Sequence, residues 1–359
     1  MKPEPDADRS RYSVAFPPGW YPLSPVDRLG RRPVAVTLMD TPLAVFRAGA
    51  GVAAVVDRCP HRNVPLTIGR VTPQGVLECG YHGWCFDGEG RCVAVPGLGA
   101  AGPDVEARAV TAYRAVEQDG FVWAWSDPST EPVGQPLALP VVEGRSSGPG
   151  SGSGEAIFSY DLECTMHAAL ENALDVPHTA FLHRGIFRGG DAREITAVRR
   201  PIEGGVEVQY LGEPVGLGRL RGPQGGELVF DHWDRFLLPC VAQIEYAVAG
   251  WLRIVNTILH LPLGPFRTRA WFVVRYWTRL PAAVVKPIVL ARGRQILSQD
   301  AKVLARQNET IQRFGGERFT STELDLMGNA IRRLLRAAES GRADGAVPDV
   351  AERSVVLSI

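Results

Sequence analysis

Two short loops, each pairing one cysteine with one histidine, constrain this sequence more than any other feature. The first reads Cys59-Pro-His61 and the second, seventeen residues later, reads Cys79-Gly-Tyr-His82. Two thiolates and two imidazoles are the ligands of a [2Fe-2S] cluster in which one iron is held by cysteines and the other by histidines. Zinc accepts the same donors, so a Cys2His2 zinc site is the alternative, although each loop here is mixed rather than of one kind.

A second group of candidate ligands follows near the middle of the chain: Asn172, Asp175, His178 and His183. On a helix, the first three share one face. His183 leaves that face, and we expect Pro177 to bend the backbone enough to bring it back. Two imidazoles and a carboxylate on one side of a metal are typical of Fe(II) oxygenases and leave positions open for dioxygen. A histidine pair alone is a weak signal, but a cluster that can supply electrons strengthens it.

Composition excludes several classes of protein. The chain has 359 residues, 45% of them hydrophobic, which is enough for two globular domains. With 39 basic and 39 acidic side chains there is no electrostatic case for nucleic acid or an anionic membrane as a partner. The first ten residues lack the apolar core of a secretory signal, and charges and prolines interrupt the most apolar stretch, 270–291, so no transmembrane segment is expected. Six unevenly spread cysteines suit a reducing, cytoplasmic setting.

The order of sequence patterns predicts two domains. From Trp20 to Trp125, short apolar runs punctuated by Gly, Pro and Asp predict a small all-β domain, with a hairpin at Asp87-Gly88. A Ser- and Gly-rich tract, 146–154, marks the boundary. Alternating runs then predict an antiparallel sheet, and 281–312 a long helix. The predicted divisions are an N-terminal tail 1–19, a first domain 20–130, a linker 131–155, a second domain 156–345 and a C-terminal tail 346–359. The chain has no nucleotide-binding glycine fingerprint.

The runs C-P-H-R-N and C-G-Y-H-G-W-C-F-D-G resemble the Rieske centre of the Rieske non-haem iron oxygenases, the aromatic-ring hydroxylating oxygenase α-subunit family. The likeness extends from about Trp20 to about Ile331. The chain is short and in this respect resembles the single-subunit monooxygenase branch of the family. It implies an α+β fold: an N-terminal all-β Rieske [2Fe-2S] domain, then a helix-grip (START-like) catalytic domain with an antiparallel sheet around a long C-terminal helix.

The resemblance also implies roles for individual residues. Cys59, His61, Cys79 and His82 would hold the cluster. His178 and His183 would bind a mononuclear Fe(II) together with Asp300, which opens an Asp-x6-Gln pattern ending at Gln307. Asp175 would be a bridging carboxylate that links an iron-ligating histidine to a Rieske histidine, and Asn172 lies beside it. For Asp300 the alternative is a solvated charge on a helix.

The function implied is that of a terminal oxygenase. Electrons from NAD(P)H would arrive through a separate reductase, with or without a ferredoxin, and O2 would hydroxylate, demethylate or otherwise oxidise an apolar, ring-containing substrate such as a sterol or other polycyclic compound. The family usually assembles as a homotrimer, which we expect here. The alternative is a helix-grip lipid or steroid carrier, or redox sensor, without oxygen chemistry.

Some residues are less specific. His167, His232 and His260 are more often core residues than ligands, although the last two could line a cavity. Cys85 and Cys92 have no partner histidine at ligand spacing. The short amphipathic segment 324–338 is explained by packing, by subunit contact or by a peripheral membrane contact.

Overall fold

The computed structural model describes residues 11–98, 106–139, 152–184, 193–215, 228–341 and 350–358. They fall into two compact units, Pro18–Val141 with Leu261–Gly264, and Met1–Pro17 with Val142–His260 and Pro265–Ile359. Most of the Ser- and Gly-rich tract expected at the boundary lies outside the described residues. The last three residues of the tract, 152–154, belong to a strand. Gly154 has no side chain, and this leaves room for the ring of Tyr276 on the paired strand.

The first unit is built from short antiparallel strands, as the sequence predicts. The strands are β1 Trp20–Pro25, β2 Val34–Leu38, β3 Thr41–Ala48, β4 Gly51–Val56, β5 Arg70–Val71, β6 Leu77–Glu78, β7 Cys85–Phe86, β8 Cys92–Ala94, β9 Ala112–Tyr113, β10 Ala115–Gln118 and β11 Phe121–Trp125. Among the described residues they form three sheets, ordered β1-β11-β10, β2-β3-β4-β9 and β5-β6-β7-β8. The hairpin expected at Asp87-Gly88 joins β7 to β8.

The run 113–125, whose alternating pattern by itself predicts one closing strand, contains a hairpin of β10 and β11. Its turn is Asp119-Gly120, whose φ angles of 49° and 79° are both positive. An Asp-Gly pair with two positive φ angles matches the right-handed twist of the strands that it joins. The chain therefore reverses at this turn, although the alternating pattern alone predicts one continuous strand.

The second unit carries a larger sheet and the helices. The elements are β12 Gly152–Leu162, α1 Met166–Ala173, α2 Thr179–Leu182, β13 Glu194–Ile202, β14 Gly205–Leu211, β15 Asp231–Leu237, β16 Val241–Val248, β17 Leu252–Gly264, β18 Arg267–Thr278, α3 Ala282–Arg313, α4 Gly328–Glu339 and β19 Arg353–Ser358. The strand order is β12-β18-β17-β16-β15-β14-β13-β19. Within the expected C-terminal tail, β19 pairs with β13 at the edge of this sheet.

The long helix α3 confirms the prediction for 281–312. Its buried residues are Leu297, Asp300, Leu304 and Asn308. Spacings of three and four residues place them on one stripe, and a carboxylate therefore lies within the buried face. In α4 the buried residues include Ile331, Leu334 and Leu335, so packing accounts for the amphipathic pattern there. No helix in the described part of the chain has the length and apolar character needed to span a bilayer.

The continuous helix expected across 172–183 is wrong. The helix α1 ends at Ala173, and α2 begins only at Thr179, with His178 at its N-cap and His183 at its C-cap. The physical reason is Pro177, which has no N–H to donate and disfavours a helical conformation in the residue before it. The break rather than a bend allows both histidines to face one point.

Candidate metal centres and substrate cavity

The two Cys/His loops of the first unit have the same backbone hydrogen-bond pattern. The Cys59 amide donates to the Val64 carbonyl at 2.9 Å, and the Cys79 amide donates to the Trp84 carbonyl at 2.8 Å. Each cysteine carbonyl accepts from the residue four positions later, at 2.9 Å from Asn63 and 3.0 Å from Gly83. These two donors have φ angles of 60° and 70°, a left-handed conformation that Asn and Gly adopt most easily. Both loops thus present a cysteine and a histidine in similar ways.

The side chains of these loops fit the proposed cluster. Cys59 and Cys79 are 1% and 3% exposed and close enough to hydrogen-bond, and burial together with this neighbour raises the pKa of the Cys59 thiol. The rings of His61 and His82 are 4.5 Å apart between centroids and lie nearer the solvent. Trp84 stacks on the His61 ring at 4.7 Å. Buried thiols below and a pair of imidazoles above are the donor set for a [2Fe-2S] cluster with one iron on each pair.

In the second unit His178, His183 and Asp300 meet. Their ligand atoms all lie within 4.8 Å of one another. Oδ1 of Asp300 is 3.1 Å from Nε2 of His183 and 3.7 Å from Nε2 of His178. That carboxylate oxygen is buried and has no hydrogen bond of good geometry among the described residues. An orphaned acceptor between two imidazole nitrogens fits a metal ion, and two histidines with one carboxylate are the facial set for Fe(II).

Neighbouring residues orient these three side chains. Nδ1 of His183 donates to Oε1 of Gln299 at 2.7 Å, so in the neutral ring Nε2 carries no proton and can act as a ligand. Nδ1 of His178 lies 3.3 Å from Oδ2 of Asp175, a close contact without the alignment of a hydrogen bond. Asn172 hydrogen-bonds Asp300. Gln299 is not predicted from the sequence, because nothing in its local pattern distinguishes it from other polar residues on α3.

The pKa values of His178 and Asp300 reflect two opposing effects, burial and the charges of neighbouring groups. Burial disfavours a charge on His178, but the carboxylates of Asp175 and Asp300 outweigh it and raise its pKa. Burial raises the pKa of Asp300, against the opposing effect of His183 and His178. A cation among these groups would favour the ionised carboxylate and the neutral imidazoles, the forms that bind metal.

A cavity of about 350 Å³ lies next to these residues, between the sheet and α3. Its apolar lining includes Phe158, Ile244, Ile254, Phe272 and Ile296. The three candidate ligands, Asn172 and Asp175 line the same cavity. The volume is near the lower end of ligand pockets, which span about 300–1,000 Å³. A second cavity, of about 1000 Å³, also has Asn172 and Asp175 in its lining, so these two residues lie between the two spaces.

The remaining histidines are all accounted for by contacts. His167 lies 2.9 Å from the Gly328 carbonyl in the core. His260 lines the small cavity, and burial lowers its pKa to about 4, so its imidazole is neutral. His232 is fully buried between Glu213, 2.6 Å from Nδ1, and Asp234, 3.0 Å from Nε2. Burial opposes its charge, but the two carboxylates raise its pKa to about 9.

Two family models match the chain. Residues 19–114 match the Rieske [2Fe-2S] domain, and residues 162–340 match the vanillate O-demethylase oxygenase C-terminal domain. The first match favours the cluster over the zinc alternative, because the cluster defines that family.

Similar proteins include Protein TIC 55 of Arabidopsis thaliana, 29% identical over 82% of this chain and 54% of that protein. The oxygenase component of dicamba O-demethylase from Stenotrophomonas maltophilia is 34% identical over 46% of this chain and 47% of that protein. The chain thus spans about half the length of these relatives. Among solved structures, dicamba monooxygenase bound to 3,6-dichlorosalicylic acid superposes with a TM-score of 0.72 at 21% identity, over 92% of this chain and 100% of that one.

The matched structure confirms the expected fold of a Rieske domain followed by a sheet-rich domain with a long C-terminal helix. The two family matches lie in the order that the sequence motifs predict and together include the two groups of candidate ligands. This chain belongs to the Rieske non-haem iron oxygenases.

Proposed function

We propose that this chain is the terminal oxygenase of a multicomponent Rieske system that oxidises an aromatic or other ring-containing substrate. The observation that carries the proposal is the meeting of His178, His183 and Asp300 at the edge of an apolar cavity. The Rieske domain in the same chain would store the electrons that such a site consumes.

Each group of residues has its own role in the proposed reaction. Cys59, Cys79, His61 and His82 would hold the [2Fe-2S] cluster, and His178, His183 and Asp300 the iron. When bound, this iron supplies the activation of dioxygen by electrons that originate from NAD(P)H. Gln299 keeps the His183 proton on Nδ1, so that Nε2 can coordinate. The apolar cavity holds the substrate ring and excludes water.

Asp175 is proposed to link the two centres. Its side chain is 34% exposed, touches His178 and lines both cavities, so it can contact a group outside its own unit while it orients an iron ligand inside. In the trimer that we propose, the outside group is a Rieske histidine of a neighbouring copy. Light scattering of the purified protein tests this assembly, since a mass of one or two chains would contradict it.

A small ring substrate fits the cavity better than a sterol. A volume of about 350 Å³ accommodates one or two aromatic rings with their substituents. The expected substrate class is therefore narrowed from large polycyclic compounds to small ring compounds. The C-terminal family and the dicamba relative are both named for O-demethylation. We therefore propose O-demethylation or hydroxylation of a methoxylated ring.

The electron donor is proposed to be a separate NAD(P)H-dependent reductase, with or without a ferredoxin. None of the described cysteines forms a disulfide, which suits a cytoplasmic protein, and the proposed location is the cytoplasm. Peripheral membrane contact is not needed to explain α4, whose apolar face is buried.

The test is turnover by the full chain with a surrogate reductase. We expect substrate-dependent oxygen uptake, a demethylated or hydroxylated product by mass spectrometry, and incorporation of label from 18O2. Asp300→Ala should abolish product while the cluster spectrum is retained, and Asp325→Asn, which changes an exposed carboxylate of the same unit, should keep both. A protein that holds the cluster but only two irons, with no oxygen uptake for any ring substrate, would instead be the carrier or sensor.

A further inference from the structure

The sheet side of the small cavity carries a row of residues that crosses three strands. Asp234 on β15 pairs with Ile244 on β16, and Ile244 pairs with Asn256 on β17. Directly paired residues point to the same face of a sheet, and all three line the cavity. Because neighbouring strands are about 4.8 Å apart, the two polar ends of the row are separated by about 10 Å.

Both ends of this row offer hydrogen-bond acceptors. Oδ1 of Asn256 is buried and has no hydrogen-bond partner in the part of the chain that the structure describes. Asp234 is 1% exposed; its Oδ1 accepts from His232 and its carboxylate also accepts from Tyr210, which leaves lone pairs for a further donor. Buried polar atoms are normally paired, so an orphaned acceptor that faces a cavity indicates a place for a donor from a ligand.

The charges behind the row make it negative. Glu213 and Asp234 are two carboxylates, and His232 between them is one imidazolium, so ionised carboxylates leave one negative charge in excess. The rings of Tyr210 and Tyr246 cover the two faces of His232 at 4.5 and 3.9 Å and keep this cluster in place. Arg235, the next residue on β15, instead bonds Glu207 and Glu245.

Apart from the candidate metal site, the described lining has one cationic side chain, and it lies on the opposite side. Arg292 is on α3, is exposed, and bonds Gln295 of the same helix at 3.0 Å. On the sheet side, the neutral His260 adds no charge. A carboxylate placed against the sheet would therefore meet a like charge in a low-dielectric space, whereas a donor would gain a charge-assisted hydrogen bond.

We infer that the sheet side selects a substrate that presents a hydroxyl, amide or ammonium donor to Asp234 or Asn256, and disfavours a carboxylate in that place. This assignment of substrate class rests on the proposed function for the reaction, but the selection is a property of binding. It can therefore be measured without oxygen or reductant.

The test is calorimetric binding of three matched ligands to the iron-loaded, unreduced full chain under anaerobic conditions. The ligands are 2-methoxyphenol, which has one donor, 1,2-dimethoxybenzene, in which a methyl group replaces that donor, and 2-methoxybenzoate. We expect the phenol to bind about tenfold more tightly than the dimethyl ether, and the benzoate to bind more weakly than either. Equal affinities for phenol and ether, tightest binding by the benzoate, or no binding of the phenol at millimolar concentration would overturn the inference.

Three variants locate the effect. One hydroxyl can reach only one of two acceptors that are about 10 Å apart, so either Asp234→Leu or Asn256→Leu should reduce the preference for phenol over ether to about twofold or less, and the other should leave it unchanged. Glu207→Gln is the matched control: it changes a carboxylate that bonds Arg235 on the other face of the sheet and does not line the cavity, so the preference should be retained. If Asp234→Leu fails to fold by circular dichroism, Asp234→Asn, which removes the charge and keeps the shape of the side chain, takes its place. An unchanged preference in the folded variants at both positions would contradict the assignment.

Different results would reject the oxygenase function and the substrate selection by the sheet side. A donor preference without oxygen uptake for any ligand would reject the oxygenase but retain the selection. Product formation together with tightest binding of the benzoate would support the oxygenase and reject the selection.

Discussion

Nδ1 of His183 donates to Oε1 of Gln299 at 2.7 Å, whereas Nδ1 of His178 lies 3.3 Å from the Asp175 carboxylate. The two candidate iron ligands are thus oriented by groups of different charge and exposure. The neutral amide of Gln299 orients the fully buried His183, and the partly exposed carboxylate of Asp175 orients His178. Orientation by an amide fixes the ring, while the carboxylate also raises the basicity of its histidine and remains accessible.

Replacement of the amide should weaken metal binding. In Gln299→Leu, Nδ1 of His183 loses its acceptor, so its ring is free to turn and to place the proton on Nε2. We expect the affinity for Fe(II) to fall by about 10- to 100-fold, measured by competition with a chelator. Gln295→Ala, an exposed glutamine on the same helix, is the control. Equal affinities for Gln299→Leu and the unaltered protein would show that the hydrogen bond does not orient the ligand.

Replacement of Asp175 should separate metal content from electron transfer. We expect Asp175→Ala to keep cluster and iron but to lose turnover coupled to reductant, because His178 remains in place while its accessible carboxylate partner is lost. Stopped-flow oxidation of the prereduced cluster, with oxygen and substrate present, should slow by about 10- to 100-fold. Asp161→Asn, which breaks an ion pair with Arg269, should behave like the unaltered protein. Normal product formation by Asp175→Ala would reject the relay.

The cluster of Glu213, His232 and Asp234 makes stability depend on pH. The pKa of His232 in the folded chain is about 9, above the unfolded value of about 6.5. Its stabilising contribution is therefore complete below pH 6.5 and is lost as the pH rises through 9. The shift corresponds to at most about 3 kcal/mol of unfolding free energy, since the two carboxylates can adjust to the loss of charge.

The check is urea unfolding of the metal-free chain between pH 6 and pH 10, with and without His232→Gln. The variant should be less stable at neutral pH, because it leaves two buried carboxylates without a cation. The gap between the two proteins should narrow as the pH approaches 10. A gap that stays constant would show that His232 is uncharged in the folded chain.

Much of this architecture follows from the sequence. Local motifs predict Cys59, His61, Cys79 and His82 as cluster ligands, because the candidate ligands of each loop are close in sequence and have a fixed spacing. The strands and α3 follow from hydrophobic periodicity. The gathering of Asp300 with the two histidines required the family resemblance, since more than a hundred residues separate them and no local pattern records their approach.

Other features were beyond the reach of such patterns. The break between α1 and α2 depends on Pro177, for which the sequence alone predicts only a bend. The cluster around His232 depends on strand register: Tyr210 and Tyr246 stack on its ring because both are its direct cross-strand neighbours. A one-residue shift in register would turn these side chains to the other face of the sheet. Neither effect is visible in composition or periodicity.

The cysteines near the cluster should respond differently to substitution. Cys59→Ser should abolish the visible absorption and the acid-labile sulfide, because serine is a poor ligand for iron. Cys85→Ser should retain both, since the Cys85 thiol instead donates to the Gly83 carbonyl at 3.3 Å. Both variants are checked by absorption after anaerobic reconstitution. Loss of the cluster from Cys85→Ser alone would mean that the ligand set is misassigned.

The central claim, that one chain holds two separate iron centres, is tested most directly by counting iron and sulfide in the reconstituted protein and in Asp300→Ala. We expect about three irons and two sulfides per chain, and about two of each in the variant, with an unchanged cluster spectrum. Equal iron content in the two proteins, or a colourless protein without sulfide, would contradict the account.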